Sequence, residues 1–325
     1  MSENILKNEK NRFNNFLSIM IRRYLIFIIF IAMIIVFSVI NPIFLSPRNF
    51  KMILTQASFL GIVSFGMTIV MITGGVDLSV GAVAGLATIF GVDLMLYSGF
   101  SGPEGILFGI FCGAFIGAIS GLFVGRLGVA PFVATLSTMF IAQGLQYAVN
   151  GGESMGYGFP RSYLFIGSGE LLNIPFPIII FVVIFLVFLV LTEFTKWGRY
   201  IRAVGLNQVT SKLSGLRIRT LTFSTYVIAG GLAAISGLML GASQSYIQPN
   251  LGDSFLLDAL VVTLLGKATF GGKPSILGTA FGVIFIKTFE TGMSMLGTPI
   301  MMMNILKGFL LLGVLLLGSF QRKMD

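Results

Sequence analysis

Long unbroken apolar runs, separated by short stretches that hold nearly all the charge, dominate this 325-residue sequence. In runs such as 24–40 and 177–191, apolar and polar residues do not alternate. A strand of a transmembrane barrel alternates lipid-facing with lumen-facing residues, so the pattern rejects a barrel. It predicts an all-α fold, a polytopic transmembrane helical bundle. Composition agrees: 55% of positions are hydrophobic and 10% charged, against about a quarter charged in a soluble domain. Mean hydropathy is +0.96.

The formal charge of +9 does not indicate nucleic acid. Phosphate-binding residues gather on one soluble face, whereas these flank apolar runs, where membrane topology accounts for them. Cys112, the single cysteine, lies within an apolar run and excludes an internal disulfide. With no histidine, a zinc site or a Ser-His-Asp triad has no ligands or base to draw on, and neither a metal site nor a catalytic residue is expected. Basic residues precede the first apolar run without a small-residue cleavage site after it, which reads as an uncleaved helix.

Ten spans are expected, near 24–40, 53–73, 78–97, 105–125, 131–149, 175–192, 221–242, 254–266, 275–296 and 301–320. The eighth is short of the roughly 20 residues a crossing needs; it either extends back toward Pro249 or is partly re-entrant. Ten crossings put both ends on one side, and the basic residues choose it. With the amino terminus cytoplasmic, Lys7, Lys10, Arg12, Arg22, Arg23, Arg126, Lys196, Arg199, Arg202, Lys212, Arg217, Arg219, Lys267, Lys273, Arg322 and Lys323 lie inside. Only Arg48, Lys51 and Arg161 lie outside, and that bias supports a cytoplasmic segment 1–23, a permease-like membrane domain 24–320 and a cytoplasmic tail 321–325. The longest cytoplasmic segment is then 193–220, and the longest external one 150–174.

Three features carry further information. Thr73-Gly74-Gly75-Val76-Asp77-Leu78-Ser79-Val80-Gly81 is a polar break between two apolar helices. Its glycines open backbone geometry closed to other residues, and Asp77 or Ser79 can cap the next helix. It reads either as a capped connection or as a break at membrane depth lining a polar cavity. The stretch Gly198-Arg199-Tyr200-Ile201-Arg202-Ala203-Val204-Gly205-Leu206-Asn207, continuing to Gly215, has apolar residues at or beside 200, 203, 206 and 213. A short amphipathic helix follows, either lying on the inner membrane face with Arg199 and Arg202 at lipid phosphates or docking into a groove of a soluble partner. Lastly, Gly105, Gly109, Gly113, Gly117, Gly121 and Gly125 recur every fourth residue, a seam that admits close helix packing; Gly237/Gly241 and Gly278/Gly282 are shorter versions.

Charges within spans are functional candidates by default, although long side chains also reach water from near a span end. Lys287 and Glu290, three apart on one helical face, are expected to neutralise each other, while Asp258 and Lys307 have no obvious local partner. No Gly-x4-Gly-Lys-Ser/Thr occurs: Gly266-Lys267-Ala268 lacks the upstream glycine and the hydroxyl, and Gly271-Gly272-Lys273 is followed by Pro274. The chain is therefore not its own nucleotide hydrolase by that route.

Gly-Gly-Val-Asp-Leu-Ser-Val-Gly at 74–81, Gly-Arg-Tyr-Ile-Arg-Ala-Val-Gly-Leu-Asn at 198–207 and Ser-Gly-Leu at 214–216 resemble the permeases of ribose-, xylose- and galactose-type ABC importers. Leu257-Asp258-Ala259, Gly271-Gly272 and Leu277-Gly278-Thr279 fit that family's carboxy-terminal pattern, so the resemblance covers about 24–320. Lys267 and Pro274-Ser275 depart from it. The resemblance implies a non-enzymatic transport subunit of a bacterial inner membrane. Its partners would be a second permease, identical or related, two cytoplasmic ATPases and an extracytoplasmic substrate-binding protein. No cofactor is expected in this chain, since ATP and Mg would bind the partner ATPase. It further implies that 193–220 is the ATPase-coupling loop, with Gly198, Arg199, Ala203, Gly205, Asn207 and Gly215 as coupling residues. Gly74, Gly75, Asp77, Ser79 and Gly81 mark the family and a possible pathway. The rival readings are a gradient-driven secondary transporter or facilitator, an ABC permease for nucleosides, and a membrane scaffold.

Overall fold

The structure, a computed structural model, describes residues 25–322. The expected segment 1–23, with five of the basic residues expected to be cytoplasmic, and Lys323 lie outside it. A helix occupies each expected span: α1 Leu25–Ile40, α2 Pro47–Ile72, α3 Val80–Tyr97, α4 Gly102–Gly121 and α5 Pro131–Asn150. After a short α6, Arg161–Ser168, come α7 Phe176–Phe194, α8 Lys196–Leu206, α9 Gln208–Leu213, α10 Ile218–Gln244, α11 Asp253–Thr269, α12 Ile276–Met295 and α13 Ile300–Arg322. Seven of these (α2, α3, α4 with its following π-helical turn, α5, α7, α10 and α12) are long and apolar enough to cross a membrane.

Local chemistry sets the ends. Ser46 caps α2, its hydroxyl accepting from Asn49 N at 3.3 Å just ahead of Pro47, so α2 starts six residues before the expected span. Ser101 and Glu104 form a capping box on α4. The segment 150–174, expected outside, is not a bare loop. It contains α6 and a small antiparallel hairpin, β1 Glu170–Leu171 with β2 Ile174–Pro175.

α2 is the central helix: 83% of its most apolar stretch is buried, against 11% for α7, most of whose length is open on the outside of the bundle. Phe65 of α2 stacks on Phe181 of α7 at 5.4 Å between centroids, with the same Phe181 ring packed over Gly61. Ser236 of α10 donates to the Phe59 carbonyl of α2 at 2.6 Å, and the Thr68 and Thr279 hydroxyls pair α2 with α12 at 2.6 Å. Interhelical hydrogen bonds of this kind contribute about 0.6 kcal/mol each in membranes.

The glycine seam of α4 divides between two neighbours. A Cβ on Gly109 would lie 2.7 Å from the Ala87 carbonyl of α3, and Gly105 similarly faces Gly91. Gly113, Gly117, Gly121 and Gly125 abut the α10 backbone at Gly230, Tyr226, Phe223 and Arg219. A methyl group anywhere along this row meets main chain that cannot rotate away, an overpacking cost of about 1–3 kcal/mol. On α10, Gly237 and Gly241 face Ala84 and Thr88 of α3; Gly278 and Gly282 of α12 face Gly266 and Val262 of α11.

Those contacts fix relative depth. Ala84 lies opposite Gly237, so Val80, one turn earlier, is level with Ala233. That is eleven residues, or about 16 Å, short of the Gln244 end of α10. Helix α3 therefore begins in the middle of the bundle, and so does α11, because Gly252 at its start packs on Gly81. This explains the shortness of α11: its 17 residues start part-way through.

Candidate functional site

The two glycine-rich motifs, far apart in sequence, meet in space. Gly205, in the last turn of α8, sits against the Ile72 carbonyl that ends α2, and Gly74 comes to 3.8 Å of the Gly205 Cα, measured from where a Cβ would stand. The φ of +86° at Gly74 is the left-handed conformation that turns the chain back on itself. From there the chain climbs through Val76, whose carbonyl accepts from the Tyr226 hydroxyl of α10 at 3.3 Å. Gly75 is held so close that a Cβ would lie 2.5 Å from that hydroxyl.

Asp77 and Ser79 are both buried. Asp77 Oδ1 accepts from Ser79 N at 2.9 Å and from Ser79 Oγ at 2.6 Å. Neither side chain caps α3 in the expected way: Ser79 occupies the cap position without accepting from the helix, and its hydroxyl donates back to Asp77. The two close the turn on itself through these bonds.

The segment after α7 forms two helices meeting at a corner, not one. Thr195 caps α8 through Gly198 N at 3.3 Å, and Asn207 breaks out of helical geometry to cap α9 through Thr210 N at 3.0 Å. Gly215, with φ +78°, closes the turn into α10. Ile201 and Val204 are the buried face of α8, with Gly198 seated on the Thr192 carbonyl and Ala203 half-buried. Arg202 pairs with Glu193, and Trp197 donates to Ser224 of α10 at 3.2 Å. Of the apolar positions singled out by spacing, Tyr200, Leu206 and Leu213 are exposed, Leu213 by 84%, as is nearby Val209, beside the exposed Arg199. The break at Asn207 resets the helical phase, so Leu213 belongs to a different helix from Tyr200 and Leu206.

At mid-depth the starts of α3 and α11 and the last turns of α5 converge. Gln146 of α5 is fully buried. Its Nε2 donates to the Ala82 carbonyl at 3.1 Å, and its Oε1 accepts from Asn250 N at 2.8 Å. Asn250, at φ +66°, donates from Nδ2 to the Tyr147 hydroxyl at 3.0 Å. Asp253, the first residue of α11, is within hydrogen-bonding reach of Gln143. None of these polar residues was singled out by sequence. A strip of Gln143, Gln146 and Tyr147 at helical spacing within an apolar span was the available signal.

Asp258 and Lys307 are not without partners. Lys307 Nζ donates to Asp258 Oδ1 at 2.8 Å and also pairs with Glu290. Lys287 Nζ lies 2.7 Å from Glu290 and 3.9 Å from Asp258. The four charges, two of each sign, join α11, α12 and α13 with side chains only 11–15% exposed.

The model of the family described as branched-chain amino acid transport system, permease component, matches residues 49–315, which spans both motifs, the seam and the charge quartet. The chain belongs to this permease family. The permease is 35% identical over 291 residues to the ribose import permease protein RbsC of Bacillus subtilis, covering 89% of this chain and 90% of the relative. It is 35% identical over 269 residues to the galactofuranose transporter permease protein YtfT of Escherichia coli (82% and 78%). It is 33% identical over 259 residues to the autoinducer 2 import system permease protein LsrD of Yersinia enterocolitica (78% of each). No solved structure matches. Within the permease, the motif at 74–81 and the segment at 198–207 form one joint, whereas the seam glycines and the charge quartet lie elsewhere in the bundle.

Proposed function

We propose that this permease is the membrane subunit of an ATP-binding-cassette importer that carries a sugar or sugar-like small molecule across the bacterial inner (cell) membrane. One observation carries the reading. Likeness runs along most of the chain to permeases named for ribose, galactofuranose and autoinducer 2. The family's description names branched-chain amino acids, but these full-length relatives are named for polyhydroxylated or sugar-derived solutes. The chain moves its substrate without altering it covalently.

Ten crossings with both termini cytoplasmic is the topology the charges favour. Direct contacts support its sorting of the ends. Ile72 with Gly205, Gly125 with Arg219, and Thr68 with Thr279 gather at one end, while Lys51 donates to the Asn173 carbonyl at the other, at 2.6 Å. The partners are two cytoplasmic ATPases, which hold ATP and Mg, a second permease and an extracytoplasmic binding protein. The α8–α9 corner is the docking element. Its exposed apolar residues beside Arg199 suit a groove on a soluble partner, and its Gly205 contact with the end of α2 makes it a lever on the central helix. Closing the ATPases moves the corner, and rigid helices carry the displacement to the mid-depth junction of α3, α5 and α11.

The test is uptake into liposomes holding the permease with its binding protein, with and without ATPase and ATP. Uptake should require both. Uptake unchanged in their absence assigns the chain to gradient-driven transport instead.

A further inference from the structure

The mid-depth polar cluster has no structural need to be where it is. Gln146 alone suffices to tie α3 to the 245–252 turn segment, yet four more polar side chains sit beside it on a partly open face. Tyr147 is 49% exposed, Asp253 is exposed, and Gln143 and Asn250 are half-buried. Phe140, Ile141 and Leu145 on the same helix are exposed apolar residues, which suit lipid or another helix. A carboxylate and two amides do not suit hydrocarbon, and ionisable groups at this depth face a bundle interior or a watered cavity. Asn250 Oδ1 is enclosed yet accepts no hydrogen bond among the described residues, leaving an acceptor free at the centre of the group.

We infer that Gln143, Tyr147, Asn250 and Asp253 line a station in the transport path that holds a neutral, polyhydroxylated solute. This rests on the importer reading above. The chemistry is that of a hydroxyl-rich ligand: the Asp253 carboxylate and Asn250 Oδ1 accept from hydroxyls, the amide nitrogens donate to them, and the Tyr147 ring offers an apolar face to the carbon skeleton. The charge balance disfavours an anion. The positive pole of the α11 amino terminus is already compensated by Asp253 in its first turn, so a sugar phosphate would meet a carboxylate without a cation to offset it. Helices that start at mid-depth, with their first residues turned to a ligand, suit such a station.

The experiment uses the assembled transporter in liposomes. The probe is the labelled neutral pentose or hexose that the parent takes up fastest, and a water-soluble, membrane-impermeant thiol reagent is the second probe. Asp253→Asn and Tyr147→Phe should each lower uptake at least ten-fold, while the permease still co-purifies with its ATPase. Leu145→Val, on the apolar face of the same helix, should leave uptake unchanged. In a Cys112→Ala background, Asp253→Cys should react with the reagent, and the sugar should slow that reaction at least five-fold. Uptake within two-fold of the parent in both polar variants overturns the station, as does an unreactive Asp253→Cys in a correctly inserted protein. Uptake by the parent without ATP strikes the importer reading instead, and the thiol measurement still decides the station because it needs no ATP.

Discussion

Gly205→Val is expected to abolish ATP-driven uptake while leaving the chain inserted and folded. The glycine's Cα lies against the Ile72 carbonyl and the turn at Thr73, so a branched side chain must push α8 away from the end of α2. Overpacking of this kind costs about 1–3 kcal/mol, a factor of roughly 5–150 in any equilibrium that depends on the contact. If the α8–α9 corner is the lever proposed above, the loss falls on coupling, because Gly205 meets the bundle at the end of α2. Asn207→Ala provides a graded companion. Its side chain caps α9, and removing a cap costs about 1 kcal/mol, so the corner frays and uptake should fall several-fold. Asn207→Ser keeps a capping oxygen and should recover most of it. Normal uptake by Gly205→Val, measured in liposomes with the ATPase present, would mean that the contact between the two motifs transmits nothing.

The second large effect is on stability. Lys307→Met should destabilise the permease by about 3–5 kcal/mol, since removing one member of a buried ion pair leaves its partner charged and unmatched. Two carboxylates, Asp258 and Glu290, would then share Lys287 alone. For a chain of this size the loss corresponds to a fall in Tm of roughly 4–7 °C. The double variant Lys307→Met/Asp258→Leu restores neutrality and keeps the Lys287–Glu290 pair at 2.7 Å, so it should regain most of the Tm. Replacing a whole buried pair by apolar groups is often neutral. A single variant as stable as the parent, followed by thermal unfolding in detergent, would show that water reaches the quartet and screens it.

Much of the fold could be read from hydropathy, because a run of about 20 apolar residues leaves little choice but a helix. The seam of α4 was legible for a similar reason: spacing by four lays the glycines from Gly105 to Gly125 in one slowly winding row, which serves α3 first and α10 after it. What escaped was tertiary. Nothing local ties Asp258 to Lys307, or Gln146 to Asn250, across separations of 49 and 104 residues. The corner at Asn207 was hidden because its asparagine looks like part of an amphipathic repeat until its side chain is seen capping α9. The eighth span looked weak for a physical reason that one sequence cannot supply: α11 starts against Gly81, inside the bundle. The two family motifs were each visible, but only their packing shows that Gly74 and Gly205 make a single joint.

The most direct measurement places a photo-crosslinker at Val209, exposed by 70% on the α8–α9 corner, in cells that also make the cognate ATPase. A corner that is the motor's handle gives a crosslink to the ATPase and stays closed to an impermeant label applied outside intact cells. Labelling from outside, or crosslinks that never include an ATPase, would contradict it.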